Sequence, residues 1–202
     1  MTVLVVAALA EEVAHLPAGV DIAITGVGKA RAAAALAKRL ADGPLPSLVV
    51  NVGTAGAVDG LVTGLVEIGY VTQHDFPYAA IDALVGRTVA RGFALHPDGP
   101  PVPCAMPPDG VTALATGDAF VSDAADATRI AAAGIHLVDM EAYGYATTCA
   151  EFGVALRCVK AVSDAADEAA GESWLDTIDG CARALGDWVA QYVDRGRHTS
   201  AG

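Results

Sequence analysis

The fold is decided by two motifs, Val-Asp-Met-Glu-Ala-Tyr at residues 138–143 and Val-Lys-Ala-Val-Ser-Asp-Ala-Ala-Asp at residues 159–167. Each motif continues an apolar run that is typical of a buried strand, and each run ends in acidic residues. Between them, residues 142–153 carry apolar side chains at a period of about 3.6, which predicts a helix. Ligands of open α/β sheets bind at the carboxyl ends of the strands. We therefore expect acidic side chains to line a binding site at this edge.

Composition limits the class of protein. With 202 residues, 53% of them hydrophobic and 18% charged, the chain fits a single domain over residues 1–202. The net charge of −12 argues against a nucleic-acid groove, which needs clustered Lys and Arg. The four cysteines lack Cys-x-x-Cys spacing, so we expect small buried residues in a reducing cytoplasm and no metal site. No apolar run reaches the length of a membrane span, so no membrane partner is expected.

The order of elements predicts the architecture. Continuous apolar runs, such as residues 3–8 and 48–52, alternate with Ala-rich helical segments. Strands of this kind are covered on both faces, which predicts a three-layer α/β/α sandwich with a central, mostly parallel, twisted sheet. We also expect one strand over residues 65–73, a helix that Ser122 caps, and a final helix over residues 173–192.

The segment from residue 96 to residue 110 contains six prolines and is predicted to be an irregular loop. Whether the wider region, residues 76–110, forms a lid or a dimer contact stays open.

Four further motifs carry polar or aromatic residues after predicted strands. Glu11-Glu12 could be helix-start acids, which the helix dipole favours, or site residues. Gly-Val-Gly-Lys at 26–29 fails both the dinucleotide and the Walker phosphate-loop patterns and predicts a tight strand-to-helix turn. Gly-Thr-Ala-Gly at 53–56 is either an ordinary turn or a place where the backbone approaches a ligand. In Gly-Asp-Ala-Phe at 117–120, the phenylalanine is either a core residue or a stacking surface.

Together with the two opening motifs, these segments resemble the nucleoside phosphorylase and nucleosidase superfamily, most closely the methylthioadenosine/S-adenosylhomocysteine nucleosidases. The resemblance spans residues 1–176 and implies roles for individual residues. Glu12 would orient or deprotonate water, and Asp164, held by Ser163, would be the general acid at purine N7. Glu141 would bind the ribose hydroxyls and favour the cationic sugar. Further substrate contacts would come from Thr54, Phe120, Val121, Met140, Lys160 and Trp174.

The resemblance also leaves three activities to weigh. A hydrolytic purine nucleosidase is favoured, acting on a methylthioadenosine/S-adenosylhomocysteine-like or futalosine-like nucleoside. A phosphorylase of the same fold would carry an Arg where Asn51 stands, and residues 9–12 contain none either. A silent nucleoside-binding protein would not need Glu12, Glu141 and Asp164. Two departures from the family pattern are Lys160, where an Arg is usual, and the bulky Tyr143.

The partners implied by the resemblance are small. We expect a purine nucleoside as substrate, water as co-substrate, no cofactor, and a homodimer.

Overall fold

A ten-stranded sheet dominates the computed structural model, which describes residues 2–199, with side chains through residue 193. The strands are β1 (Val3–Ala7), β2 (Asp21–Ile24), β3 (Leu48–Ala57), β4 (Leu65–Ile68), β5 (Tyr70–Gln73), β6 (Gly92–His96), β7 (Gly99–Cys104), β8 (Ala113–Thr116), β9 (Leu137–Asp139) and β10 (Ala155–Asp164). The helices are α1 (Lys29–Ala41), α2 (Tyr78–Val85), α3 (Ala124–Ala131), α4 (Ala142–Phe152) and α5 (Ala170–Thr199), with a short 3-10 helix at Glu11–Val13.

The sheet has a branched strand order. The main path runs β2-β1-β3-β9-β8-β5-β6-β7, while β10 pairs with β3 and β4 pairs with β10. Of the nine strand pairings among residues 2–199, five are parallel and four antiparallel. The central strand β3 lies between β1 and β10 over its first half and contacts β9 at its end. The expected α/β fold with a mostly parallel sheet is confirmed.

Alternating side chains of the central strands bury both faces of the sheet. Leu4 and Val6 of β1 belong to an apolar cluster with α1 and α4. Val5 and Ala7, which point to the other face, share a cluster with α5. The helix α3 packs on this second face against β8 and β9. Because successive strand residues point to opposite faces, a strand covered by helices on both sides must be apolar throughout, as these runs are.

The proline-rich segment is not irregular throughout, which corrects the expected loop at residues 96–110. Its first half contains β7, which pairs antiparallel with β6 as a hairpin. β7 lies at the edge of the sheet, where prolines are tolerated because one side of the strand needs no ladder hydrogen bonds. Local sequence did not indicate an edge strand, because the position of a strand in a sheet depends on distant partners.

Three boundaries also differ from the sequence prediction. The expected strand over residues 65–73 divides at Gly69 into β4, which pairs with β10, and β5, which pairs with β8. The cap of α3 is Asp123 and not Ser122, since the Asp123 carboxylate accepts hydrogen bonds from two amides of the first turn. The last helix begins at Ala170, three residues before its expected start.

Two points concern the limits of the chain. The expected single domain over residues 1–202 includes residue 1 and residues 200–202, which lie outside the described residues. None of the helices within residues 2–199 combines the length and apolar character needed to cross a membrane.

Candidate active site

A cavity of about 240 Å³ opens at the carboxyl ends of β1, β8, β9 and β10, beside the second half of β3. Nine of the ten site residues expected from the sequence line it, namely Glu12, Thr54, Phe120, Val121, Met140, Glu141, Ser163, Asp164 and Trp174. The tenth, Lys160, does not line the cavity. The structure thus brings motifs separated by more than a hundred residues to one place.

Glu12 lies in the 3-10 helix and is buried, whereas its neighbour Glu11 is exposed. Its Oε2 accepts hydrogen bonds from the Ala8 and Leu9 amides, both at 3.1 Å. Its Oε1 accepts from the Thr54 amide at 2.8 Å and the Thr54 hydroxyl at 3.1 Å. Four donors fix the carboxylate in orientation at the cavity wall. The contacts therefore favour a site role for Glu12 over that of a helix-start acid.

The two glycines of Gly-Thr-Ala-Gly each make room for a carboxylate. A Cβ atom at Gly53 would lie 2.9 Å from Glu12 Oε1, and one at Gly56 would lie 2.7 Å from Asp164 Oδ1. Both distances are shorter than real Cβ contacts, so a larger residue would displace the acid. The segment lies within β3 and is not a turn, which corrects the turn reading of the sequence. The glycines are needed for the approach of side chains.

Asp164 ends β10 at a bulge. The register between β10 and β3 shifts between Val162 and Asp164, and bulges of this kind redirect side chains near active sites. As the sequence indicated, Ser163 Oγ donates to Asp164 Oδ2, at 2.7 Å. The Ala166 amide donates to Oδ1 at 2.9 Å from a backbone with φ of 51°, a conformation that costs L-residues energy. The strained turn and the hydroxyl hold the carboxyl group at the cavity.

Glu141 precedes α4 and is 7% exposed. Its Oε1 accepts a hydrogen bond from the Gly28 amide at 2.9 Å. Burial, together with the charge of Asp139, raises its pKa to about 7, although Lys160 and the Gly28 amide oppose the shift. Ionised Glu141 is therefore a poorly solvated anion, which interacts strongly with any positive charge that develops in the cavity.

Lys160 forms a buried ion pair with Asp139 and does not line the cavity, which corrects its expected place among the substrate contacts. Its Nζ is 2.8 Å from Asp139 Oδ2, and both side chains are at most 2% exposed. Burial alone would lower the pKa of Lys160, but the surrounding anions, led by Asp139, raise it above its ordinary value. Asp139 also accepts hydrogen bonds from Thr116 Oγ1 at 2.7 Å and from the Ala142 amide at 3.0 Å. Such a pair is stable because its remaining acceptor positions are filled.

An aromatic side chain marks the side of the cavity formed by the 117–121 loop. Phe120 lines the cavity with 52% of its surface exposed, so it is not the core residue that its type alone would predict. Val121, the next residue, is buried and lines the same side. An exposed ring beside a buried backbone offers a flat apolar surface for a planar ligand.

Trp174 closes another part of the wall from the first turns of α5. Its Nε1 donates to Thr54 Oγ1 at 3.0 Å, and that hydroxyl donates in turn to Glu12. Met140 lines the cavity between the two acids of its motif. Trp174, which the resemblance placed among the substrate contacts, lies in the wall of the cavity.

Sequence reasoning missed two contributors. Asp139 was noted only as an acid after a strand, yet it is the counter-ion of Lys160. A lysine within an apolar strand was the available signal, because a buried ammonium group needs an acid partner. The Gly28 amide, which binds Glu141, was assigned only to a turn. No local signal identified it, since Gly28 and Glu141 are far apart in the chain.

The lining is strongly acidic. Its charged members among the described residues are Glu12, Asp139, Glu141 and Asp164. Asn51 lies away from the lining, inside the sheet, where its amide donates to the carbonyl oxygens of Val6 and Val52. Within residues 2–193, no group of three or more His, Cys, Asp and Glu side chains is arranged to hold a metal ion.

Comparisons with known proteins identify the family of this chain. Residues 18–195 match the family model of the phosphorylase superfamily. The chain belongs to the phosphorylase superfamily, as its motifs indicated. A 5′-methylthioadenosine/S-adenosylhomocysteine nucleosidase of Exiguobacterium is 31% identical over 167 residues, which cover 77% of this chain and 71% of that protein. A protein of the same name from Geobacillus kaustophilus is 30% identical over 177 residues, covering 82% and 75% of the two chains.

Solved structures share the fold. A 5′-methylthioadenosine/S-adenosylhomocysteine nucleosidase of Helicobacter pylori superimposes with a TM-score of 0.74 over 96% of this chain and 97% of that one, at 19% identity. The futalosine hydrolase of Helicobacter pylori gives a TM-score of 0.75 at 18% identity and the same coverage.

Proposed function

We propose that this chain hydrolyses the N-glycosidic bond of a purine nucleoside. The observation that carries the proposal is the convergence of Glu12, Glu141 and Asp164, three carboxyl groups with different hydrogen-bond partners, on one cavity. Breaking this bond builds positive charge on the sugar and negative charge on the base. The reaction therefore needs an acid at the base, an anion near the sugar and an activated water, as in glycoside hydrolysis.

The proposal assigns one of these tasks to each carboxyl group. Asp164 donates a proton to N7 of the purine, so that the base leaves as a neutral molecule. Glu141, poorly solvated, stabilises the cationic sugar and accepts hydrogen bonds from its hydroxyls. Glu12, fixed by its four donors, accepts a proton from water as the water oxygen bonds to the anomeric carbon. The electrons of the broken bond stay with the base, so atoms and charges balance.

The remaining cavity residues recognise the two halves of the substrate. Phe120 stacks on the purine ring, Val121 presents its backbone to the edge of the base, and Met140 packs against the sugar. Water is favoured over phosphate as the nucleophile because, among the described residues, the cavity lining holds the carboxyl groups of Glu12 and Glu141 and no Lys or Arg, and Asn51 is buried away from it. An anionic nucleophile would be repelled by that lining.

The experiment is a substrate panel. Adenosine, inosine, 5′-methylthioadenosine, S-adenosylhomocysteine and futalosine are incubated with the protein in phosphate-free buffer, and free base is measured by chromatography. The expected result is catalytic base release from at least one of them, with Asp164→Asn as the control that should release base far more slowly. A folded protein that releases no base from any of the five would contradict the proposal.

We also propose a homodimer that acts in the cytoplasm. Large apolar side chains stay exposed on one chain, among them Leu61, Leu84 and Met106, which supports association with a second copy. The four cysteines are free thiols, which fits a reducing compartment. Light scattering coupled to size exclusion should give twice the mass of the chain, and a monomer would contradict the dimer.

A further inference from the structure

Lys29, the last residue of Gly-Val-Gly-Lys, has no part in the chemistry described above. It begins α1, and its side chain is only 17% exposed. Its Nζ donates to Asp75 Oδ1 at 2.5 Å and to Gln73 Oε1 at 3.1 Å. Both acceptors belong to the end of β5 and the residues just after it. A lysine at a helix start gains nothing from the helix dipole, so its partners must account for its position.

The same partners hold the 117–121 loop. Asp75 accepts a second hydrogen bond, at Oδ2, from the Asp118 amide at 2.9 Å. The Asp118 carboxylate closes the ring, since its Oδ1 accepts from the Lys29 amide at 2.9 Å and its Oδ2 lies 3.9 Å from Lys29 Nζ. We call Lys29, Gln73, Asp75 and Asp118 the Lys29 bridge. It joins the start of α1, the end of β5 and the 117–121 loop.

The Lys29 bridge is connected to the cavity at two points. Asp118 is two residues before Phe120, whose ring is half exposed and cannot fix the loop by its own packing. The residue before Lys29 is Gly28, whose amide holds Glu141. Burial alone would raise the pKa of Asp75, but the hydrogen bonds from Lys29 and the Asp118 amide, together with the charge of Lys29, lower it below its ordinary value. The carboxylate that binds the loop amide is therefore kept ionised.

We propose that Lys29 is a positioning residue that holds the 117–121 loop, through Asp75 and Asp118, in the conformation that binds the purine. The proposal rests on the proposed function, because it takes the ligand of Phe120 to be a purine. A fixed loop binds the base equally well before and during bond cleavage. Loss of the bridge should therefore raise KM and leave kcat nearly unchanged.

The chain offers matched variants. Lys29→Met removes the ammonium group and keeps the length of the side chain. Lys38→Met is the control, since Lys38 is in the same helix, is 79% exposed and is 4.0 Å from its partner Asp42. Lys29→Arg keeps the positive charge, so this variant should keep most of the wild-type loop protection and a KM close to that of wild type. Asp118→Ala removes the carboxylate that accepts from the Lys29 amide but keeps the Asp118 amide and the Lys29–Asp75 pair, and with 58% of its side chain exposed the fold should tolerate it.

Hydrogen exchange of the Asp118 amide tests the bridge without any ligand. Its protection should fall about tenfold in Lys29→Met and stay unchanged in Lys38→Met, because only the former frees Asp75. Equal protection in the two variants would overturn the proposal. This measurement stays decisive even if the protein proves to release no base.

Steady-state kinetics on the best nucleoside of the panel test the consequence. KM should rise about tenfold in Lys29→Met and in Asp118→Ala, with kcat within about threefold of wild type. The double variant should be worse than either single one, because Lys29→Met removes the Nζ–Asp75 contact and Asp118→Ala removes the separate hydrogen bond from the Lys29 amide. Unchanged KM in folded Lys29→Met would refute it. If no base is released, calorimetric binding of adenine replaces KM, and equal binding by wild type and Lys29→Met overturns the proposal.

Discussion

Glu141→Gln should stabilise the protein at alkaline pH while slowing its reaction. The side chain is 7% exposed, and its pKa is raised from 4.5 to about 7, first by burial and then by Asp139. A raised pKa means that the folded protein binds this proton more tightly than the unfolded chain does. The resulting stability is fully present below about pH 4.5 and is lost as pH rises through about 7. Glutamine keeps an oxygen for the Gly28 amide and never ionises.

The size of the effect follows from the shift. A difference of roughly 2.5 pKa units corresponds to on the order of 3 kcal/mol in the free energy of unfolding above pH 7. For a chain of this length, each kcal/mol changes Tm by about 2–4 °C, so the variant should gain about 6–12 °C at high pH and little at low pH.

Thermal unfolding at about pH 5 and about pH 8.5 measures this change in Tm. Glu11→Gln is the control, because Glu11 is an exposed glutamate in the 3-10 helix that follows β1. The Tm difference between Glu141→Gln and wild type should grow with pH. A Tm difference that is the same at both pH values would refute the argument that ionisation of buried Glu141 lowers the free energy of unfolding. The reaction should respond in the opposite sense, since wild-type kcat/KM should rise with pH through about 7 and the variant should lack that rise.

Three further substitutions test single contacts. Asp164→Asn should lower kcat by roughly 10²–10⁴ with little change in Tm, because it keeps the shape but cannot transfer a proton; full activity would remove Asp164 from the mechanism. Gly56→Ala should lower kcat, because its Cβ would displace Asp164 Oδ1, and unchanged kcat in a folded variant would contradict that packing. Lys160→Met should lower the free energy of unfolding by about 3–5 kcal/mol in denaturant titrations, because Asp139 would remain buried without its partner; a loss under about 1 kcal/mol would contradict a tightly buried pair.

The sequence predicted the central architecture because its strands are covered on both faces. The apolar run of β1 and the acids at the ends of β9 and β10 are local features, and each can be interpreted without knowledge of distant residues. The edge strand β7 was missed because its prolines are read locally as breaks, whereas their acceptability depends on where the strand lies in the sheet.

The sequence predicted which residues form the site better than it predicted how they contact one another. Glu12 and Asp164 were placed by motif, and the structure brings both to one cavity. Lys160 was predicted to contact the substrate, but it pairs with Asp139, which lies on another strand. Spacing along the chain cannot indicate such a pair. The role of Gly53 and Gly56 was also hidden, because a glycine that makes room for a distant carboxylate has the same sequence signal as one in a turn.

The fate of the sugar tests the central claim most directly. Wild-type protein is incubated with the best nucleoside of the panel with and without inorganic phosphate, while free base is measured by chromatography and sugar phosphates by phosphorus NMR. We predict the same rate of base release in both buffers and only free or 5′-substituted ribose as the sugar product. A rate that depends on phosphate, with a ribose 1-phosphate product, would contradict hydrolysis by the acidic cavity.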